Sequence, residues 1–198
     1  MTGGDGPTGD GPTGDVDGVV LTGGRSRRFG RDKALEPVDG VAMAVRVAAA
    51  LRAGGAERVT AVGGDAERLA AVGLHVWPDD HPGDGPLGGV LTALVRVASP
   101  VVVVAACDLP WLMGEAVAAV LGALAAADGV ADVAVARTDR LEPLLAAWRV
   151  GPCRPVVLAA HTAGERAVHR VLAGLRVVEV TVPAGSLRNV NHPEDLRR

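Results

Sequence analysis

The chain has 198 residues, 48% of them hydrophobic but only 2% aromatic, with no Tyr and a formal net charge of −3. A chain of this length buries roughly 70% of its unfolded surface without needing disulfides, and a core of Ala, Val and Leu suits helices packed on a buried parallel sheet. Three Asp and no cation fall in residues 1–15, so the remainder is near neutral, which excludes the basic surface a nucleic-acid binder needs.

In chain order, residues 1–14 repeat Gly-Asp-Gly-Pro-Thr and hold no apolar run, so they read as a disordered tail. Residues 15–198 read as one domain in which strand-like runs alternate with amphipathic helical runs, the pattern of βαβ units. Val16–Leu21 is the first strand, followed by a long Gly/Arg loop. Val41–Ala53 reads as a helix stopped by Gly54-Gly55. Arg58–Val62 is a strand, Ala66–Val72 a short helix, Leu74–Trp77 a strand and Leu87–Ala98 a helix. Pro100–Ala106 (PVVVVAA) is the most hydrophobic strand, with a helix over Glu115–Ala127 and a strand over Asp132–Ala136 after it. A turn at Thr138-Asp139-Arg140 leads into a strand over Pro143–Trp148. Pro155–Ala160 and Glu165–Leu172 read as helical, Arg176–Val182 as a strand and Pro193–Arg198 as a helix.

The fold class expected is therefore α/β, a three-layer Rossmann-like sheet that is mostly parallel. In such sheets ligands bind outside the carboxyl ends of the strands, so the loops to inspect follow Leu21, Trp77, Ala106 and Trp148. Cys107 and Cys153 form no CxxC, and the five His show no HExxH or comparable spacing. Met43 and Met113 are expected in the core. No apolar stretch reaches the ~18 residues needed to span a membrane, and residues 1–15 have neither a basic start nor an apolar centre. Cytoplasm is the expected location.

The first loop, Leu21-Thr22-Gly23-Gly24-Arg25-Ser26-Arg27-Arg28-Phe29-Gly30-Arg31-Asp32-Lys33, carries three Gly and five cations after a buried strand. Glycines bring backbone amides close to an anion, and Arg and Lys add donors matched to phosphate. That chemistry suits a triphosphate. No GK[ST] follows, so this is not a Walker A loop. Cys107-Asp108-Leu109-Pro110 ends the most hydrophobic strand and sets a carboxylate at the middle of the sheet's carboxyl edge, where a hard cation such as Mg²⁺ finds an oxygen ligand. Cys107 reads as a small buried spacer. Gly83-Asp84-Gly85-Pro86-Leu87-Gly88 satisfies the dinucleotide fingerprint, with Asp108 about 20 residues on. Residues 78–82 separate it from its strand, however, and Pro86 removes an amide donor. A non-catalytic NAD-binding module stays open as the rival.

The first loop resembles the signature L-x-[AG]-G-x-S-x-R-[MF]-G-x-D-K of the molybdenum cofactor nucleotidyltransferases (MobA-like), within the superfamily of NTP transferases. The resemblance continues through Asp79-Asp80-His81-Pro82-Gly83-Asp84-Gly85-Pro86-Leu87-Gly88, through Cys107-Asp108-Leu109-Pro110 and through Glu142-Pro143-Leu144-Leu145-Ala146 with Arg149. It ends with Arg188-Asn189-Val190-Asn191-His192-Pro193-Glu194-Asp195-Leu196, where His192 replaces Thr.

The resemblance implies a guanylyltransferase: transfer of GMP from GTP to molybdopterin with release of pyrophosphate. It implies that Leu21, Thr22, Gly23, Gly24, Lys33, Asp79 and Asp108 bind the nucleotide, with the amides of Leu21–Gly24 cradling its phosphates. Lys33, Arg28 and Asp108 would be catalytic, Asp108 would hold Mg²⁺, and Asn189 and Asn191 would face the acceptor. Its implied partners are GTP and molybdopterin, with room for transient contact with proteins of molybdenum insertion or molybdoenzyme maturation. Two neutral Asn stand where cytidylyl- and sugar-nucleotidyltransferases carry D-x-D. Gly63-Gly64 stand where the family often has a base-facing Asn, so a cytidylyl- or deazaflavin-cofactor transferase of the same superfamily remains the alternative.

Overall fold

The structure, a computed structural model, describes residues 16–23, 32–192, 194 and 195. The expectations for residues 1–14, for Gly24 and Arg28, and for most of the 193–198 helix lie outside the described residues.

Seven strands form one sheet: β1 (Val16–Leu21), β4 (Arg58–Val62), β5 (His75–Trp77), β6 (Val101–Ala106), β7 (Val133–Arg137), β8 (Leu141–Arg149) and β9 (Val177–Thr181). Their order is β5-β4-β1-β6-β8-β7-β9. The remaining two strands, β2 (Pro37–Val38) and β3 (Val41–Ala42), make a small separate hairpin. Alternate residues of the central strands feed two cores, so helices cover both faces. Val20, Val103 and Ala105 pack with Leu51 of α1 (Met43–Ala53), Leu69 of α2 (Ala66–Ala71) and Val120 of α4 (Gly114–Ala126). Val19, Val102 and Val104 pack with Leu91 of α3 (Gly85–Arg96), Val157 of α5 (Val150–Thr162) and Val171 of α6 (Val168–Val171). Burial on both faces is why the strands read as unbroken apolar runs. The expected three-layer α/β architecture is what the structure has.

Three sequence expectations need correcting. The helix expected from Val41 starts at Met43, because Val41 and Ala42 return the β2–β3 hairpin. Met113 is not core; it is 42% exposed just before α4, whereas Met43 is fully buried. The third concerns direction. β8 pairs antiparallel with both β6 and β7, so the residues after Trp148 lie at the amino edge of the sheet and Arg149 sits opposite Val101. Arg149 there donates to the carbonyls of Ala131 and Leu124, away from the ligand edge. The beginning of β8 is what reaches the carboxyl edge. Its pairing with β7 slips between Val135 and Ala136, passing Pro143 to Leu145, and Pro143 has no N–H to give a ladder.

Strand order reverses between β1 and β6, since the chain builds β4 and β5 on one side of β1 and β6 on the other. The crevice at such a switch point is where α/β sheets hold ligands. Leu21 and Ala106 pair at this place, and the Leu21 carbonyl accepts from the Cys107 amide at 3.1 Å just beyond them.

Candidate active site

A cleft of about 1320 Å³ opens at this switch point. It is lined by Leu21, Thr22 and Gly23 after β1, Gly63 and Gly64 after β4, Asp79 after β5 and Asp108 after β6. Lys33, Leu144 and Asn191 line it as well, with Pro82 and Gly83 of the loop after β5 and Gly85 at the start of α3. Each of the first four groups follows a strand end, so the parallel sheet itself brings distant sequence segments together.

Lys33 is aimed by a 3-10 turn over Lys33–Leu35, which Asp32 caps by accepting from the Ala34 amide at 3.1 Å. Its Nζ lies 3.0 Å from Asp108 Oδ2 and 3.5 Å from Asn191 Oδ1. The other carboxylate oxygen, Asp108 Oδ1, is buried and makes no hydrogen bond among the described residues. A buried carboxylate oxygen left so costs free energy unless a cation or another donor meets it. The arrangement thus fits a divalent ion: one oxygen is held by Lys33 and the other is buried with no hydrogen-bond partner among the described residues. Asp108 does not cap α4, whose N-cap is Met113. Beside it, burial, and then the Asp108 charge, push the Cys107 thiol up to about 12. The thiol stays protonated at neutral pH, and the spacer role fits it better than a nucleophile's.

Asn191 is held by its own segment. Asp195 Oδ2 accepts from the amides of Asn191 and His192 at 2.8 and 2.9 Å. The Val190 amide donates to the Asp108 carbonyl at 3.0 Å. Val190 is fully buried against Val38 and Met43, and Arg188 stacks on Trp111 at 3.6 Å. Asn189 is half-buried and takes no part in lining the cleft. The two Asn are therefore not equivalent, as their shared motif suggested.

Asp79 and Asp80 separate cleanly. Asp79 lines the cleft, with Oδ1 accepting from the His81 amide and the Thr92 hydroxyl, both at 3.0 Å. Asp80 faces away and pairs with Arg96 at 2.9 Å, and that guanidinium holds its carboxyl below the usual range.

The loop after β1 corrects one expectation. The amides of Thr22 and Gly23 both donate to the Val62 carbonyl at 3.0 Å, so neither is free for phosphate. The Thr22 hydroxyl lies 3.0 Å from the Val62 carbonyl and 2.8 Å from that of Gly63, tying β1 to the end of β4. Gly63 has φ +79°, and a Cβ there would meet Gly23 Cα at 2.9 Å. Only glycine fits, which gives this departure from the family pattern a structural reason. Sequence reasoning met Gly63 and Gly64 only as a departure at the base-facing position and Leu144 only within a family-like segment, and gave none of the three a role in the site. The strand end of Arg58–Val62 was a usable signal for the glycines; nothing in the sequence gave the direction of β8 that brings Leu144 in.

The rival dinucleotide fingerprint fails on position. Its turn follows β5, a three-residue strand at the sheet's outer edge rather than at the switch point. No helix among the described residues is long and apolar enough to cross a membrane.

Comparison with known proteins agrees with this geometry. The sequence model of the MobA-like NTP transferase domain matches residues 18–180. A probable molybdenum cofactor guanylyltransferase of Chloroflexus aggregans is 34% identical, the match covering 92% of each chain. The molybdenum cofactor guanylyltransferase of Methylibium petroleiphilum is 32% identical over 92% of this chain and 94% of its own. Among solved structures, molybdopterin-guanine dinucleotide biosynthesis protein A from Archaeoglobus fulgidus superposes with a TM-score of 0.74 at 27% identity, covering 91% of this chain and 95% of that one. A strand-end carboxylate and a cleft at the switch point thus agree with the comparisons: the chain belongs to the MobA-like NTP transferase family.

Proposed function

We propose that this nucleotidyltransferase moves GMP from GTP to molybdopterin, as a molybdenum cofactor guanylyltransferase of the cytoplasm. The observation that carries the reading is Asp108: a strand-end carboxylate with one oxygen on Lys33 and the other buried and without a hydrogen-bond partner among the described residues, in a cleft of about 1320 Å³. A carboxylate oxygen donor of this kind suits Mg²⁺. When bound, the ion supplies neutralisation of charge on the phosphate oxygens.

In the reaction, a terminal phosphate oxygen of the acceptor attacks the α-phosphorus of GTP and the bond to pyrophosphate breaks. The protein's share is positioning and electrostatics. Asp108 would hold the ion, and Lys33 and Arg28 would neutralise the developing and departing charge. Leu21, Thr22 and Gly23 shape the nucleotide wall. Because the Thr22 and Gly23 amides are committed to Val62, the phosphate cradle falls to Gly24 and the residues after it. Asp79 serves the nucleotide side. Asn191 serves the acceptor side, with Asn189 supporting it from outside the lining. Residues 1–14 act as a tail that the domain does not require.

The test is product analysis. Purified protein is incubated with each of the four NTPs, Mg²⁺ and molybdopterin, and the products are weighed by mass spectrometry. Conversion of molybdopterin to its GMP adduct with GTP alone is expected. Preferential use of CTP would move the assignment to the cytidylyl branch, and no transfer from any NTP would overturn it.

A further inference from the structure

Outside the proposed catalytic centre, the fold brings together side chains that the sequence keeps far apart. His161 on α5 lies with Nε2 2.8 Å from Asp84 Oδ2, across 77 residues of sequence. The His81 ring sits 4.4 Å from the His161 ring, centroid to centroid, tilted by 52°. One ligand atom from each of His81, Asp84 and His161 lies within 4.8 Å of the other two. A lone His–Asp contact is an ordinary structural hydrogen bond. The second imidazole, turned onto the same point from a different element, is what an ordinary pair does not need.

We propose that His81, Asp84 and His161 form a binding site for a divalent transition-metal ion of the Zn²⁺ class, distinct from the hard-cation site at Asp108. Two imidazoles and a carboxylate are the donor set of three-ligand zinc sites that keep a fourth position for water, and imidazole selects against Mg²⁺. Arg166 completes the arrangement. Its Nε lies 3.2 Å from Asp84 Oδ1 and fixes the carboxylate's orientation, so that Oδ2, which meets His161 Nε2 at 2.8 Å, is the oxygen that would turn to the ion. His81 and Asp84 flank Pro82 and Gly83, which line the nucleotide cleft. An ion at this point would clasp the cleft wall between β5 and α3 to α5, adding to the His161–Asp84 contact and to the packing of α5 on α3. It is a structural staple on the substrate wall, and its existence does not depend on which nucleotide the cleft accepts.

The experiment is a Co²⁺ titration of the full chain in saturating Mg²⁺, so that oxygen-ligand sites are filled. Visible d–d absorption reports imidazole ligation, and competition by Zn²⁺ gives the affinity of that ion. His81→Ala and His161→Gln are titrated beside the wild type, each checked for folding by circular dichroism. The expected result is one equivalent of Co²⁺ displaced by one of Zn²⁺, with an affinity loss on the order of 100-fold in each folded variant. Hydrogen exchange at residues 80–84 should slow on adding Zn²⁺ to the wild type, a readout that holds even if one variant misfolds. Absence of a ligand-field band in the wild type, equal binding by folded variants, or unchanged exchange would each overturn the site.

Discussion

Lys33 Nζ and Asp108 Oδ2 meet at 3.0 Å although 75 residues separate them. The contact joins the loop after β1 to the end of β6, neighbouring strands on either side of the switch point. It leaves the second Asp108 oxygen buried and unmet among the described residues, and the proposed chemistry turns on that oxygen.

Asp108→Asn should remove GMP transfer while leaving the fold in place, because an amide keeps the shape and loses the charge that holds the ion. A fall in kcat/KM of about 10²-fold or more is expected, with an unchanged circular dichroism spectrum. Full activity in Mg²⁺ would refute the metal assignment.

Lys33→Ala should lower kcat far more than Arg27→Ala. Lys33 touches Asp108 within the cleft, and losing a preorganised charge used in the transition state costs about 10²-fold or more. Steady-state kinetics of both variants decide the point. Equal small losses would make the loop a general anion trap.

Asp79→Asn should raise KM for GTP, since Asp79 lines the cleft. Asp80→Asn should leave kinetics unchanged, because its partner Arg96 lies outside the cleft. Titrating GTP against both variants checks this; the reverse order would mean that the two neighbouring carboxylates have exchanged roles.

Asn191→Asp should raise the acceptor KM more than Asn189→Asp. Asn191 lines the cleft beside Lys33 and Asn189 does not, so only the first substitution sets a new negative charge against an anionic acceptor. Acceptor titrations at fixed GTP are the measurement, and equal effects would place both amides at the acceptor.

Asp132 gives a pH prediction away from the site. It accepts from Arg176 through the backbone amide at 2.9 Å and through the guanidinium Nε at 3.1 Å. The Arg176 hydrogen bonds hold its carboxyl below the usual range. A carboxyl depressed in the folded state stabilises the fold above its unfolded pKa of ~3.9, and that stability is lost as pH falls through the folded value. Asp132→Asn should therefore cost about 2 kcal/mol at neutral pH. The deficit relative to the wild type should shrink at pH values below ~3.9. Urea unfolding at several pH values tests it, and a deficit independent of pH would assign the cost to packing.

The strands β1 and β4 were legible to the residue because an apolar run bounded by polar turns has few alternative readings. Asp108 was legible as a cleft residue from its strand-end position, and Asp79 and Lys33 through the family resemblance of their motifs. The direction of β8 was not, since Leu141–Arg149 shows the same apolar pattern whichever way it runs. That placed Arg149 on the wrong edge and left Leu144 readable as core packing. The β2–β3 hairpin escaped because strands of two residues have no period to detect. The inequality of Asn189 and Asn191 depends on where Val190 and Arg188 anchor their segment, a tertiary fact no local pattern holds. His81 and His161 likewise met only through the packing of α5 on α3.

The bond from the Val190 amide to the Asp108 carbonyl bears on when a newly made molecule first becomes competent. A ribosome that has released the chain as far as α6 has already delivered Lys33, Asp79 and Asp108. The brace behind Asp108, and the amide of Asn191 beside Lys33, are still to be synthesised. Translation order thus works as a timer: the cleft closes its last side only after the whole sheet has had the chance to assemble, and a truncated chain lacking residues 187–195 would carry the motifs of a transferase without its finished site.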